Sequence, residues 1–166
     1  MIVLGIDPGI AITGYGVVGD AKRNLEGIEY GVITTSSELP FPERLSLIYN
    51  QLSGVIDKCR PEVAAVEELF FSVNVKTALA VGQARGVAIL AAKEAGLRVV
   101  EYKPTEVKQS VVGYGRAEKE QMQKMTQLLL NLKELPKPDD AADALAIAIC
   151  HIHSAKLSDK IEKGLR

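Results

Sequence analysis

The chain has 166 residues, enough for one domain of ordinary size with a core of its own. Apolar residues make up 47% and charged residues 25%, which excludes a disordered or fibrous chain. A formal net charge of −1 excludes a protein that coats nucleic acid by bulk positive charge, because such binding needs a large excess of Lys and Arg.

Residues 1–6 are nearly all apolar and rich in β-branched side chains, the pattern of a strand buried on both faces. Asp7-Pro8-Gly9 breaks that run sharply. Apolar runs at 12–18 and 28–35 complete a three-strand antiparallel meander. Leu45, Ile48, Leu52, Ile56 and Cys59 recur at helical spacing, which predicts an amphipathic helix over 42–59, ended by Pro61. A short buried strand at 63–66 runs into Glu67. An Ala- and Gly-rich helix is expected over 76–95 and a fifth strand over 97–102. Two further helices, about 104–112 and 117–132, flank Gly113-Tyr114-Gly115. Pro136 and Pro138 mark a loop before a last helix from about 139 to 155. The expected layout is one domain over 1–155, with 156–166 as a charged, frayed tail.

Cys59 and Cys150 form no CxxC and read as buried free thiols in a reducing compartment. Residues 1–7 lack the basic start of a signal peptide, and no apolar run approaches membrane-spanning length. A cytoplasmic location is therefore expected.

Three strands, then helix, strand, helix, strand and helices describe an α/β protein. It has a five-stranded mixed sheet, the first strand central and helices on both faces. Ligands gather at strand carboxyl ends where the strand order reverses. Asp7 and Glu67 both stand at such ends, interrupting apolar strands where an unpaired carboxylate is costly to bury. Asp140 and Asp143, three apart at the head of a helix, share one face. Together these four acids suit one or two hard divalent cations of the kind that hydrolyse phosphodiesters. Spacing alone leaves other roles open: Asp7 as a turn residue, Glu67 and Glu68 as ordinary edge acids, Asp140 or Asp143 as structural acids, and Asp139 as a helix cap or dipole partner.

Gly5-Ile-Asp-Pro-Gly9 with Thr13-Gly14-Tyr-Gly16 resembles the opening of the Holliday-junction resolvase RuvC family. The same family is resembled by Glu67-Glu-Leu-Phe-Phe71, Asn74, Gly82-Gln-Ala-Arg-Gly-Val-Ala88 and Val107-Lys-Gln-Ser-Val-Val-Gly113. So it is by Ala117-Glu-Lys119 and Asp140-Ala-Ala-Asp-Ala-Leu-Ala-Ile-Ala148, with all segments in order from Met1 to about residue 155. The opening turn alone also occurs in actin-like kinases, but those need a second lobe for which this chain is too short.

The resemblance implies a ribonuclease H-like fold with Asp7, Glu67, Asp140 and Asp143 as metal ligands. It implies two Mg²⁺ ions per site, with Mn²⁺ able to substitute, and hydrolysis leaving a 5′ phosphate and a 3′ hydroxyl. Lys119 is implied as a catalytic cation that also meets DNA, Lys108 as a phosphate contact, and Phe70 as a ring stacked on a base. Tyr114 and Arg116 stand in a loop expected to touch the DNA backbone, a plain helix connection being the alternative reading. The resemblance further implies a homodimer, which matches the two equivalent strands of a four-way junction, and a branch-migration motor as partner. Ala78, Gly82 and Gly86 form a small-residue row suited to close helix packing. Glu68 departs from the Gln usual in the family and receives no role, and His151 and His153 read as structural or exposed. The rival activities are RNA processing by a ribonuclease H-like nuclease and junction binding without catalysis.

Overall fold

The computed structural model describes residues 1–21, 24–68 and 75–164. Strand β1 (Ile2–Asp7) lies at the centre of a five-stranded sheet, between β2 (Ile12–Ala21) and β4 (Val63–Glu67). β2 runs antiparallel to β1 and carries β3 (Asn24–Thr34) on its outer side, while β4 runs parallel to β1 and to β5 (Arg98–Tyr102). The strand order is β3-β2-β1-β4-β5, so the chain reverses its direction of growth at β1.

Alternation along the strands divides the interior in two. Leu4, Ile6, Val17, Ala64 and Val66 point to one face, where α1 (Phe41–Cys59) and α2 (Val75–Glu94) bury Ile48, Leu52, Ala84 and Ala88. Val3, Val18 and Ala65 point to the other, beneath α3 (Pro104–Val112), α4 (Lys119–Leu129) and α5 (Asp139–Gly164). Helices on both faces explain why β1 carries no polar side chain before Asp7. α5 is buried all round from Ala144 to Ile152, because the sheet lies on one side and α3 and α4 on the other.

Three glycines set how closely α5 lies on the sheet. A Cβ on Gly5 would clash with the Ala144 carbonyl, and one on Gly14 with the Asp140 carbonyl. A Cβ on Gly16 would stand 2.7 Å from the Leu145 nitrogen. Strand glycines mark close backbone approach, and here the approaching backbone is the first turns of α5.

Several boundaries differ from those read in the sequence. β3 begins at Asn24 rather than 28, because as an edge strand it turns Asn24, Glu26 and Ile28 to solvent and the apolar run starts late. α4 stops at Leu129, and Asn131 at φ +50° turns the chain away. α5 continues past 155 to Gly164, with no Pro or Gly before that residue to end it. Lys156 anchors this stretch through a 2.7 Å ion pair with Asp20, and residues 157–164 are exposed. Among the described residues, no helix is long and apolar enough to cross a membrane.

Candidate active site

Asp7 is the last residue of β1 and Glu67 the last of β4. The parallel register pairs Ile6 with Val66, so the two acids are next-door neighbours at adjacent strand ends. Both follow the parity of Val3 and Ala65 and therefore face α5. Asp7 is also paired across β2 with Gly14, the residue on which the Asp140 backbone sits. The same glycine seats bring Asp140 and Asp143, on the first turns of α5, over the strand ends.

The ionisation of these groups reflects burial first and the neighbouring charges second. Burial pushes the Asp7 carboxyl up to about 7, with the negative charges of Glu67, Asp143 and Asp140 adding to the effect and Lys119 opposing it. Burial raises Glu67 to about 6, helped by Asp143 and offset by Lys108. Asp143 is raised chiefly by burial, against the pull of Lys119. These carboxylates thus act on one another through a half-buried medium, the arrangement that clusters at functional sites.

Lys108 and Lys119 face the acids from α3 and α4. A cleft of about 210 Å³ is lined by Glu67, Asp143 and both lysines, with Val107, Met122 and Ala146 among its apolar walls. The Lys119 ammonium lies 3.0 Å from Asp139 and 4.0 Å from Asp143. Hydrogen bonding to Asp139 holds Lys119 above the ordinary lysine range. Gln123 donates to the same Asp139 carboxylate at 2.6 Å. Asp139, read in the sequence as a helix cap or dipole partner, stands in the first turn of α5 and also ties α4 to the head of that helix.

The donor set, carboxylates alone, is that of a hard divalent cation. As the side chains stand, no three His, Cys, Asp or Glu among the described residues are drawn tightly enough together to hold an ion. Burial raises Asp7, Glu67 and Asp143, and neighbouring acids add to it, an effect that a bound cation would oppose. On that ground the residues fit a metal.

The remaining expectations fall into two groups. Phe70, like Phe71 and Asn74, lies outside the described residues. Tyr114 and Arg116 are exposed in the loop between α3 and α4, and the Tyr114 hydroxyl donates to Gln121 at 2.9 Å. Gln121 also accepts from the Glu118 backbone, so the loop is fastened to the first turn of α4 beside Lys119. His151 is buried, with Nδ1 2.8 Å from the Tyr102 hydroxyl, and His153 contacts Ser110, which agrees with structural roles for both. Sequence reading missed Asp139 and Gln123 as partners of the site. Asp139 had a local explanation, and Gln123 acts across the fold with no spacing to betray it.

Acids at the ends of two neighbouring parallel strands, completed from a helix laid on glycine seats, define a ribonuclease H-like nuclease. The model of the family described as crossover junction endodeoxyribonuclease RuvC matches residues 3–151. A relative of that name from Ruminiclostridium cellulolyticum is 55% identical over 157 residues, covering 95% of each chain. The solved Thermus thermophilus RuvC superposes with a TM-score of 0.87 at 42% identity, covering 95% of this chain and 97% of the other. T. thermophilus RuvC in complex with a Holliday junction substrate gives a TM-score of 0.90 at 42% identity, with coverage of 95% and 96%. The chain belongs to the crossover junction endodeoxyribonuclease RuvC family.

Proposed function

We propose that this chain resolves four-way DNA junctions, nicking two equivalent strands by metal-assisted hydrolysis. The observation that carries the proposal is the convergence of four acids at one edge of the sheet, Asp7 and Glu67 at adjacent strand ends and Asp140 and Asp143 on the first turns of α5. Asp7, Glu67, Asp140 and Asp143 would hold Mg²⁺, two ions per site, with Mn²⁺ able to replace it. Bound there, the metal supplies Lewis acidity and an activated water. The chain's own groups do the rest. Lys119, beside Asp143, places a cation where charge develops on the phosphate, and Lys108 meets a neighbouring phosphate. Phe70 would stack on an unpaired base, while Tyr114 and Arg116 contact the backbone. The nuclease domain spans 1–155.

Two equivalent strands call for two sites, and a two-fold homodimer provides them. α2 supports this reading with an exposed face carrying Leu79, Gln83, Gly86 and Leu90. Leu79 is 64% and Leu90 50% exposed, and nothing lies within 4 Å of a Cβ built on Gly86. A second copy would cover these leucines and approach closely at the glycine. A branch-migration motor is the further partner, assembled on the same junction.

A synthetic immobile junction, incubated with Mg²⁺ or chelator and strand-mapped, tests the activity. The expected result is paired symmetric nicks with Mg²⁺ alone. Preference for an RNA–DNA hybrid would mark an RNA-processing nuclease instead, and binding without nicking a non-catalytic module. Sedimentation of Leu79→Glu/Leu90→Glu tests the dimer, which this double variant should convert to monomer.

A further inference from the structure

Glu67 is approached from both faces of the sheet. Its side chain faces the cleft under α5, but its backbone carbonyl accepts a hydrogen bond from Arg85 Nε at 3.3 Å. Arg85 stands on α2, across the sheet from the cleft. Its Nη2 meets the Glu101 carboxylate at 2.6 Å, and Glu101 pairs with Val66, the residue before Glu67. One guanidinium therefore ties the carboxyl-terminal ends of β4 and β5 together.

The location matters because the regular strand stops there. β4 ends at Glu67, and the Glu68 amide, bonded to the Tyr102 carbonyl at 2.8 Å, carries the β5 pairing one residue further. A carboxylate on the last residue of a strand is only as fixed as the backbone beneath it. Arg85 is 17% exposed, so its charge is held in place by its partners rather than by water. Its planar fork can serve a carbonyl and a carboxylate at once, which an ammonium on a flexible stem does poorly.

We propose that Arg85 is a positioning residue for Glu67, setting the height and rotation of that carboxylate from the far face of the sheet. The proposal rests on the reading of Glu67 as a metal ligand of a junction nuclease. It gives the Gly82-Gln-Ala-Arg85 segment a purpose beyond packing.

The test compares Arg85→Gln, Glu101→Gln, the double variant and Arg85→Lys in the full-length chain. Three quantities are read: single-turnover junction cleavage, junction binding in chelator, and the Mg²⁺ concentration giving half of the metal-induced rise in Tm. Loss of a group that orients a ligand typically costs about 10–100-fold in metal affinity or activity, and Arg85→Gln should fall in that range on both counts. Binding in chelator should be unchanged. Glu101→Gln should move the same way by less, the double variant should be no worse than Arg85→Gln, and Arg85→Lys should recover only part. Wild-type cleavage and Mg²⁺ response in Arg85→Gln would overturn the proposal. Should that variant fail to fold, an unaltered Mg²⁺ response in Glu101→Gln would overturn it equally. Should the wild type fail to nick junctions, the reading of function falls, while the Mg²⁺ dependence of Tm still decides what Arg85 does.

Discussion

Replacing Asp7 with Asn should make the metal-free protein more stable at neutral pH while removing its activity. In the folded chain the Asp7 carboxyl is raised from its ordinary 3.8 to about 7 by burial and by Glu67, Asp143 and Asp140. The sign follows from proton binding. Below the ordinary value both folded and unfolded chains hold the proton, and the residue contributes no pH dependence. Between the two values the folded chain holds it and the unfolded chain releases it, so stability falls as pH rises. Above about 7 the full penalty is in place. A separation of about three pH units at about 1.4 kcal/mol each sets an upper bound near 4 kcal/mol. Water entering the half-open cleft and the imperfect fit of the amide lower the expected gain to about 2–3 kcal/mol, or about 5–10 °C in Tm for a chain of this size. The assay is thermal unfolding of wild type and Asp7→Asn in chelator from pH 4 to 8. The gap should open with rising pH and nearly vanish at pH 4. Saturating Mg²⁺ should narrow it, because binding at 100 times Kd stabilises the wild type by about 2.7 kcal/mol. A variant equally stable or less stable at pH 8, or a gap independent of pH, would refute the idea that Asp7 is held against its charge.

Glu67→Gln and Asp143→Asn should each abolish nicking but leave gel-shift affinity for a four-way junction in chelator intact or improved, since each removes a negative charge from the cleft. Protons and Mg²⁺ compete for the raised carboxylates, so the acid limb of the cleavage profile should move to lower pH as Mg²⁺ is increased. A limb fixed in pH would contradict the competition. Gly16→Ala puts a methyl 2.7 Å from the Leu145 nitrogen and should cost about 1–3 kcal/mol by calorimetry, with cleavage falling further than stability because α5 carries Asp140 and Asp143 away from Asp7.

The parts of this fold that were legible in the sequence are those governed by local period. β1 could be read as central because its residues are apolar on both faces, and α3 was bounded correctly because Pro104 and Gly113 punctuate it. The acids were visible because each interrupts an apolar strand or heads a helix. Edge strand β3 was underestimated, since its solvent side carries Asn24 and Glu26 and its apolar pattern is diluted. The last turns of α5 were missed because burial, which periodicity reports, ends before the helix does.

Long-range polar contacts were illegible for a different reason. Arg85 and Glu67 are 18 residues apart and meet through a backbone carbonyl, so neither side chain advertises the contact. Asp139 has a sufficient local explanation as the first residue of α5, and only the fold brings Lys119 and Gln123 to it. Gly5, Gly14 and Gly16 carry the opposite lesson. In the sequence they look like weaknesses in otherwise good strands, yet each removes a Cβ that would hold α5 off the sheet. The close approach they permit brings buried carboxylates together, and the Asp7 carboxyl is raised by burial and by those neighbours. On the proposed reading the same cluster would hold the divalent cation, so the raised carboxyl of Asp7 and the proposed activity would have one structural cause.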